Sequence, residues 1–107
     1  MARAPRPAHA QSKTALLIGA AAKRAKALHA QGRYSDALDL CLQVARAHPR
    51  VSGAWTDAAV NCIGLQRWDD AIRFARTSLA CGGDTLGLYD ALSHAHWALD
   101  RRDDARR

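Results

Sequence analysis

The chain repeats itself every 34 residues, and this constrains its fold more than any other feature. Arg33-Tyr34-Ser35-Asp36-Ala37 is answered by Arg67-Trp68-Asp69-Asp70-Ala71 and again by Arg101-Arg102-Asp103-Asp104-Ala105. At the same offset Trp55 is answered by Tyr89, Leu38 by Ile72, and Ala25 by Ala59 and then Ser93. A fixed period of this size marks an architecture in which each unit buries its apolar face only against its neighbours.

Within the units the apolar residues fall three and four apart, as in Ala37, Leu38, Cys41, Leu42, Val44 and Ala45, which is the spacing of one helical face. Gly32, Pro49 and the pair Gly82-Gly83 stand where helices should end. The pattern predicts an all-α chain with helices at 13–31, 34–48, 52–65, 68–81 and 86–99, and a last one starting near 102. Ser35, Asp69 and Asp103 are expected as N-caps, with Asp36, Asp70 and Asp104 favouring the positive end of each helix dipole. Ala occupies 24 of the 107 positions, as suits a fold in which helix backbones cross closely.

These residues resemble the tetratricopeptide repeat (TPR) family. The first unit, 18–51, carries Ala21, Ala25, Leu28, Gly32, Tyr34, Ala37, Cys41, Val44 and Pro49. The second, 52–85, carries Trp55, Ala58, Ala59, Cys62, Trp68, Ala71, Ala75 and Ser78. The third, 86–107, carries Tyr89, Leu92, Ser93, His96 and Ala105, and stops early in its second helix. The family pattern has an aromatic where the first unit has Ala21, Pro where the second has Gly83, and an aromatic where the third has Arg102. The resemblance implies antiparallel helix pairs stacked as a short right-handed solenoid of about two and two-thirds repeats. Residues 1–13 read as a flexible basic arm ahead of it.

The resemblance also implies a concave groove lined by the first helix of each unit. Its positions map onto Lys26 and His29, then Thr56, Val60 and Ile63, then Asp90, His94 and Trp97, with Ala22, Ala30, Gly64 and Ala98 beside them. Such a groove binds a peptide or protein segment, with the apolar side chains as anchors and the polar ones fixing orientation. The family's clamp for a terminal carboxylate is not expected. Of its matching positions Ala22, Lys26, Asp57, Gly87 and Ala91, only Lys26 is basic.

Nothing in the sequence points to catalysis. There is no Gly-rich phosphate loop and no nucleophile elbow, and all ten acids are Asp. His94 and His96 are two apart, so on a helix they face different ways and cannot share a metal. Cys41, Cys62 and Cys81 lack a C-x-x-C spacing. They read as two core thiols and one near a helix end, in a reducing compartment. No cofactor or metal is expected.

The net charge of +6 admits an acidic partner. Its distribution argues against nucleic acid, because residues 1–13 carry +3 and residues 101–107 carry +2, leaving +1 on 14–100. The apolar run 15–22 is too short to span a bilayer, so no membrane association is expected and the cytoplasm is the default location.

The sequence therefore reads as a non-catalytic protein-binding scaffold. Two alternatives accompany it. One is the N-terminal substrate-recognition module of a longer bacterial enzyme, such as a glycosyltransferase. The stop at Arg107 and the excess of Ala and Arg over Lys motivate it. The other is a homo-oligomer formed through the open face of the truncated third repeat.

Overall fold

The computed structural model describes residues 12–83 and 85–106, and these are all-helical apart from short links. The elements are α1 (Ser12–Ala30), α2 (Tyr34–Ala47), α3 (Ser52–Gly64), α4 (Trp68–Ala80) and α5 (Thr85–Arg106). The expected arm at 1–13 lies outside the described residues up to Gln11, and α1 begins at Ser12.

Three of the four helix ends that lead into a link close with the same backbone device. Arg33 N–H donates to the Leu28 carbonyl at 2.9 Å and Gly32 N–H to that of His29 at 2.9 Å. One period later Arg67 N–H donates to Cys62 at 2.8 Å and Gln66 N–H to Ile63 at 3.0 Å. Gly83 and Gly82 do the same to Ser78 and Leu79, at 2.8 and 3.0 Å. These are Schellman motifs, whose left-handed residue satisfies the last carbonyls of the helix. That residue is Gly32 (φ 77°), Gln66 (φ 60°) and Gly82 (φ 84°).

The expected caps are not formed. α2 and α4 begin at Tyr34 and Trp68, with Arg33 and Arg67 before them and no side-chain cap bond. Ser35 and Asp69 therefore lie inside the first turn. Asp36 and Asp70 instead pair back to those arginines, at 2.8 and 2.6 Å, three residues apart. Asp70 also takes Arg73 at 2.7 Å.

The expected break near residue 100 is also absent, since α5 runs unbroken from Thr85 to Arg106. Asp100 stands one period after Gln66, but no glycine or proline adjoins it and the chain simply continues helical. The side chains of the third Asp-Asp-Ala signature, at 103–105, lie outside the described residues.

Each helix packs on the next in the chain, and α1 also meets α3 as α3 meets α5. The buried positions repeat with the period: Ala25 and Ala59, Ala37 and Ala71, Leu38 and Ile72, Cys41 and Ala75, Asn61 and Ala95. Small residues at these crossings let backbones approach, and bulk comes from half-buried Leu40, Leu42, Ile63, Trp68 and Phe74 around them. Tyr89, which answers Trp55 in the sequence period, is 57% exposed. It belongs to α5, which among the described residues packs on α4 and α3.

Candidate functional site

Two adjoining clefts run along the line where α1 faces α3. The larger, about 370 Å³, is walled by Ile18, Ala21 and Ala22 of α1, Leu40 and Val44 of α2, and Ala54 of α3. The smaller, about 210 Å³, is lined by Ala25, Lys26, His29, Asp57, Val60 and Asn61. Ala25, Lys26 and Asp57 belong to both, so the two form one continuous groove.

The floor of the smaller cleft is held by Asn61, which is 2% exposed. Its amide donates to the Asp57 carbonyl at 2.8 Å, and its side-chain oxygen lies 3.0 Å from His29 Nδ1. That contact makes Nδ1 the donor, so on a neutral ring Nε2 is the acceptor. The His29 ring meets Tyr34 edge-on, with centroids 4.9 Å apart. His29 is thus fixed from two sides, by α3 and by the start of α2.

Asp57 is the electrostatic centre of the groove. Burial pushes its carboxyl above the usual carboxylate range, and Lys26 and then His29 oppose the rise. Among the described residues its carboxylate makes no ion pair within 4 Å. One acid and two groups that carry or can carry positive charge therefore line a short stretch of groove, beside the apolar Val60, which is 37% exposed.

Of the residues expected from sequence, Lys26, His29 and Val60 come together here. Thr56 lies on the wall of the larger cleft, but its hydroxyl is engaged with the Ser52 carbonyl at 3.1 Å and with Ser78 Oγ at 2.7 Å. Ile63 is half-buried and packs against the main core rather than opening into either cleft. Gly64 lies under the Tyr34 ring. The α5 residues do not join the groove. Asp90 is exposed, His94 lies over Trp68 with centroids 5.5 Å apart, and Trp97 is 60% exposed beneath the Arg101 guanidinium at 5.1 Å.

Sequence reasoning missed Asn61 as a groove residue and placed Asp57 only as an acid where the family's clamp wants a base. The signal for Asn61 was a polar residue inside the apolar stripe Ala58, Ala59, Cys62 of α3. A buried amide in such a stripe must find partners across the helix interface.

Chemically the groove can bind but holds no reactive constellation. Among the described residues no three His, Cys or Asp side chains gather as metal ligands. Cys41 and Cys62 are free thiols in the core, pushed up by burial to about 12 and about 11, which leaves them protonated and unreactive. Cys81 is free and half-exposed at the end of α4. No described helix is long and apolar enough to cross a membrane.

Compared with known proteins, the chain matches no family model, and neither a curated relative nor a solved structure is significantly similar to it. What the fold and groove define is an all-helical protein with a small, mixed-polarity cleft between its first and third helices.

Proposed function

We propose that the chain is a TPR-like solenoid that binds a peptide or protein segment without doing chemistry. In this reading α1–α2 and α3–α4 are antiparallel pairs, α5 begins a third, and α1, α3 and α5 form the inner face. Its support is the coincidence of the 34-residue sequence period with the backbone. The Schellman turns at Gly32 and Gln66, the Arg-Asp pairs and the buried positions all recur at that spacing. Contacts of α1 with α3 and of α3 with α5 are what stacked helix pairs require. Three free cysteines suit a reducing cytoplasm.

The observation that carries the binding role is the groove itself. Asp57 and Lys26 have no ion-pair partner there within 4 Å among the described residues, and the adjacent Val60 is open to solvent. A peptide would lay an apolar side chain on Val60 and orient itself through Lys26, His29 and Asp57. The test is to pan a displayed random-peptide library on the folded chain, with Val60→Arg as the counter-selection. A motif that binds the parent and loses at least tenfold on Val60→Arg is expected. No motif, or one indifferent to Val60→Arg, would rule the groove out as the binding surface.

A second reading rests on α5, where Tyr89 and Trp97 are 57% and 60% exposed. Two large aromatics on one open helix suit self-association. It would show as a mass that rises with concentration in sedimentation equilibrium, and a constant monomer mass would exclude it.

A further inference from the structure

Three walls of the larger cleft have counterparts one period later that carry bulkier side chains. Shifting its walls by one period turns Ala21 into Trp55, Leu40 into Phe74 and Ala54 into Leu88. In that second place the Trp55 ring stacks on Phe74 with centroids 5.7 Å apart, and its Nε1–H donates to the Pro49 carbonyl at 2.8 Å. Leu88 is buried there at 1% exposure, packed with Ala59, Ala75 and Phe74. These three walls are smaller in the first unit, beside an opening of about 370 Å³, while Ile18, Cys41 and Val44 are larger there than their counterparts Ser52, Ala75 and Ser78. That volume lies within the range of small-ligand pockets, about 300–1,000 Å³.

No described side chain fills this cleft. It has six aromatic residues, namely Tyr34, Trp55, Trp68, Phe74, Tyr89 and Trp97, and none lines the cleft. A ring placed there would be supplied by something other than these six side chains. The helix forming the outer wall, α1, carries Lys13, Lys23, Arg24 and Lys26 and no acid, and Lys26 lies on the cleft's rim. Asp57 also lines the cleft, so the attraction for a carboxylate close to the ring comes from Lys26 and the other bases of α1 and is opposed by Asp57.

We propose that the cleft between α1, α2 and α3 receives the indole of a tryptophan presented by an acidic segment of a partner protein. The ring enters the place that Trp55 occupies one repeat later, against Leu40 and Val44, with the carboxylate toward Lys26. This rests on the peptide-binding reading for the source of the ring, while the cleft's fit for an indole stands separately.

The probes are N-acetyltryptophan, its neutral amide, and N-acetylleucine, titrated against the chain while the Ala, Leu and Val methyl resonances are followed. N-acetyltryptophan is expected to saturate shifts at Ala21, Val44 and Ala54 with a Kd on the order of millimolar. N-acetylleucine should bind at least tenfold more weakly. The acid should bind roughly two- to fivefold tighter than the amide at low salt, and Lys26→Gln should erase that preference. Ala21→Trp puts the missing ring back and should abolish binding while raising Tm. Ala54→Leu is a milder filling that should weaken binding at least tenfold, and Ala20→Trp, on the exposed side of α1, should change nothing.

Absence of saturable shifts at those three residues would overturn the cleft as an indole site, whatever the peptide library shows. So would full binding to a folded Ala54→Leu variant. Equal binding of acid and amide would overturn the acidic partner. A dimer that dissociates on Trp97→Ala and releases the cleft would give the site to a second copy and overturn the foreign partner. A failed library screen beside successful indole binding would sink the scaffold reading and leave the cleft intact.

Discussion

The ring of Tyr34 occupies the space that a β-carbon on Gly64 would need, since such an atom would lie 2.7 Å from Cδ1 and 2.8 Å from Cγ. Gly64 is the last residue of α3 and Tyr34 the first of α2, so this contact sets how closely the two helices approach. Gly64→Ala should therefore destabilise the fold by about 1–3 kcal/mol. In a Tyr34→Ala background the same change should cost much less, with a coupling of about 1 kcal/mol or more in a double-mutant cycle by urea unfolding. Additive effects would show that the ring and the glycine do not constrain one another.

Gln66 stands one period after Gly32 and holds the same left-handed turn, at φ 60°. A side chain there bears a steric cost that glycine avoids, partly offset by the greater freedom glycine has when unfolded. Gln66→Gly is expected to stabilise the chain by about 1 kcal/mol, or roughly 4–8 °C in Tm. Gly32→Ala should do the opposite by a similar amount. Calorimetry on the pair decides, and a drop in Tm for Gln66→Gly would mean that the Gln66 side chain has a role the turn geometry does not reveal.

The helices were legible because their signals are local. Glycine at a C-terminus and apolar residues three and four apart act within a few residues, and four of the five helices end within one residue of expectation. Two local expectations failed. Asp69 was a capping candidate by type, but the helix start at Trp68 leaves it inside the first turn. The break expected after Leu99 requires a second helix to turn back onto α5, and among the described residues α5 packs on α4 and α3. The groove was half legible. Periodicity put Lys26, His29 and Val60 on one face, but could not tell Ile63 facing inward from Ile63 facing out. Neither could it reveal the larger cleft, which depends on side chains from three helices at once.

Ile63 and Val60 lie three residues apart on α3 and should respond differently to the same change. Ile63 is half-buried against the main core cluster, and Val60 is exposed beside the groove. A carboxylate forced against apolar neighbours is expensive, so Ile63→Asp should cost about 3 kcal/mol or more and visibly reduce helical circular dichroism at 37 °C. Val60→Asp should cost about 0.5 kcal/mol or less. Equal stability of the two variants would return Ile63 to the groove.

Asp57 links the groove to acid stability. Its folded pKa is raised by desolvation, so between the unfolded value near 3.8 and the folded one the native state holds more protons than the unfolded state. Stability from this residue is therefore lowest where it is ionised in both states, and grows as pH falls through the folded pKa. Asp57→Asn removes the buried charge. It should raise Tm at pH 7 relative to the parent and lose that advantage as the pH is lowered toward 3.8. Thermal melts of both chains at intervals from pH 7 to 3.5 give the difference directly. An advantage that is absent at pH 7, or that grows in acid, would mean that the attraction of Lys26 and His29 outweighs the cost of burying the carboxylate.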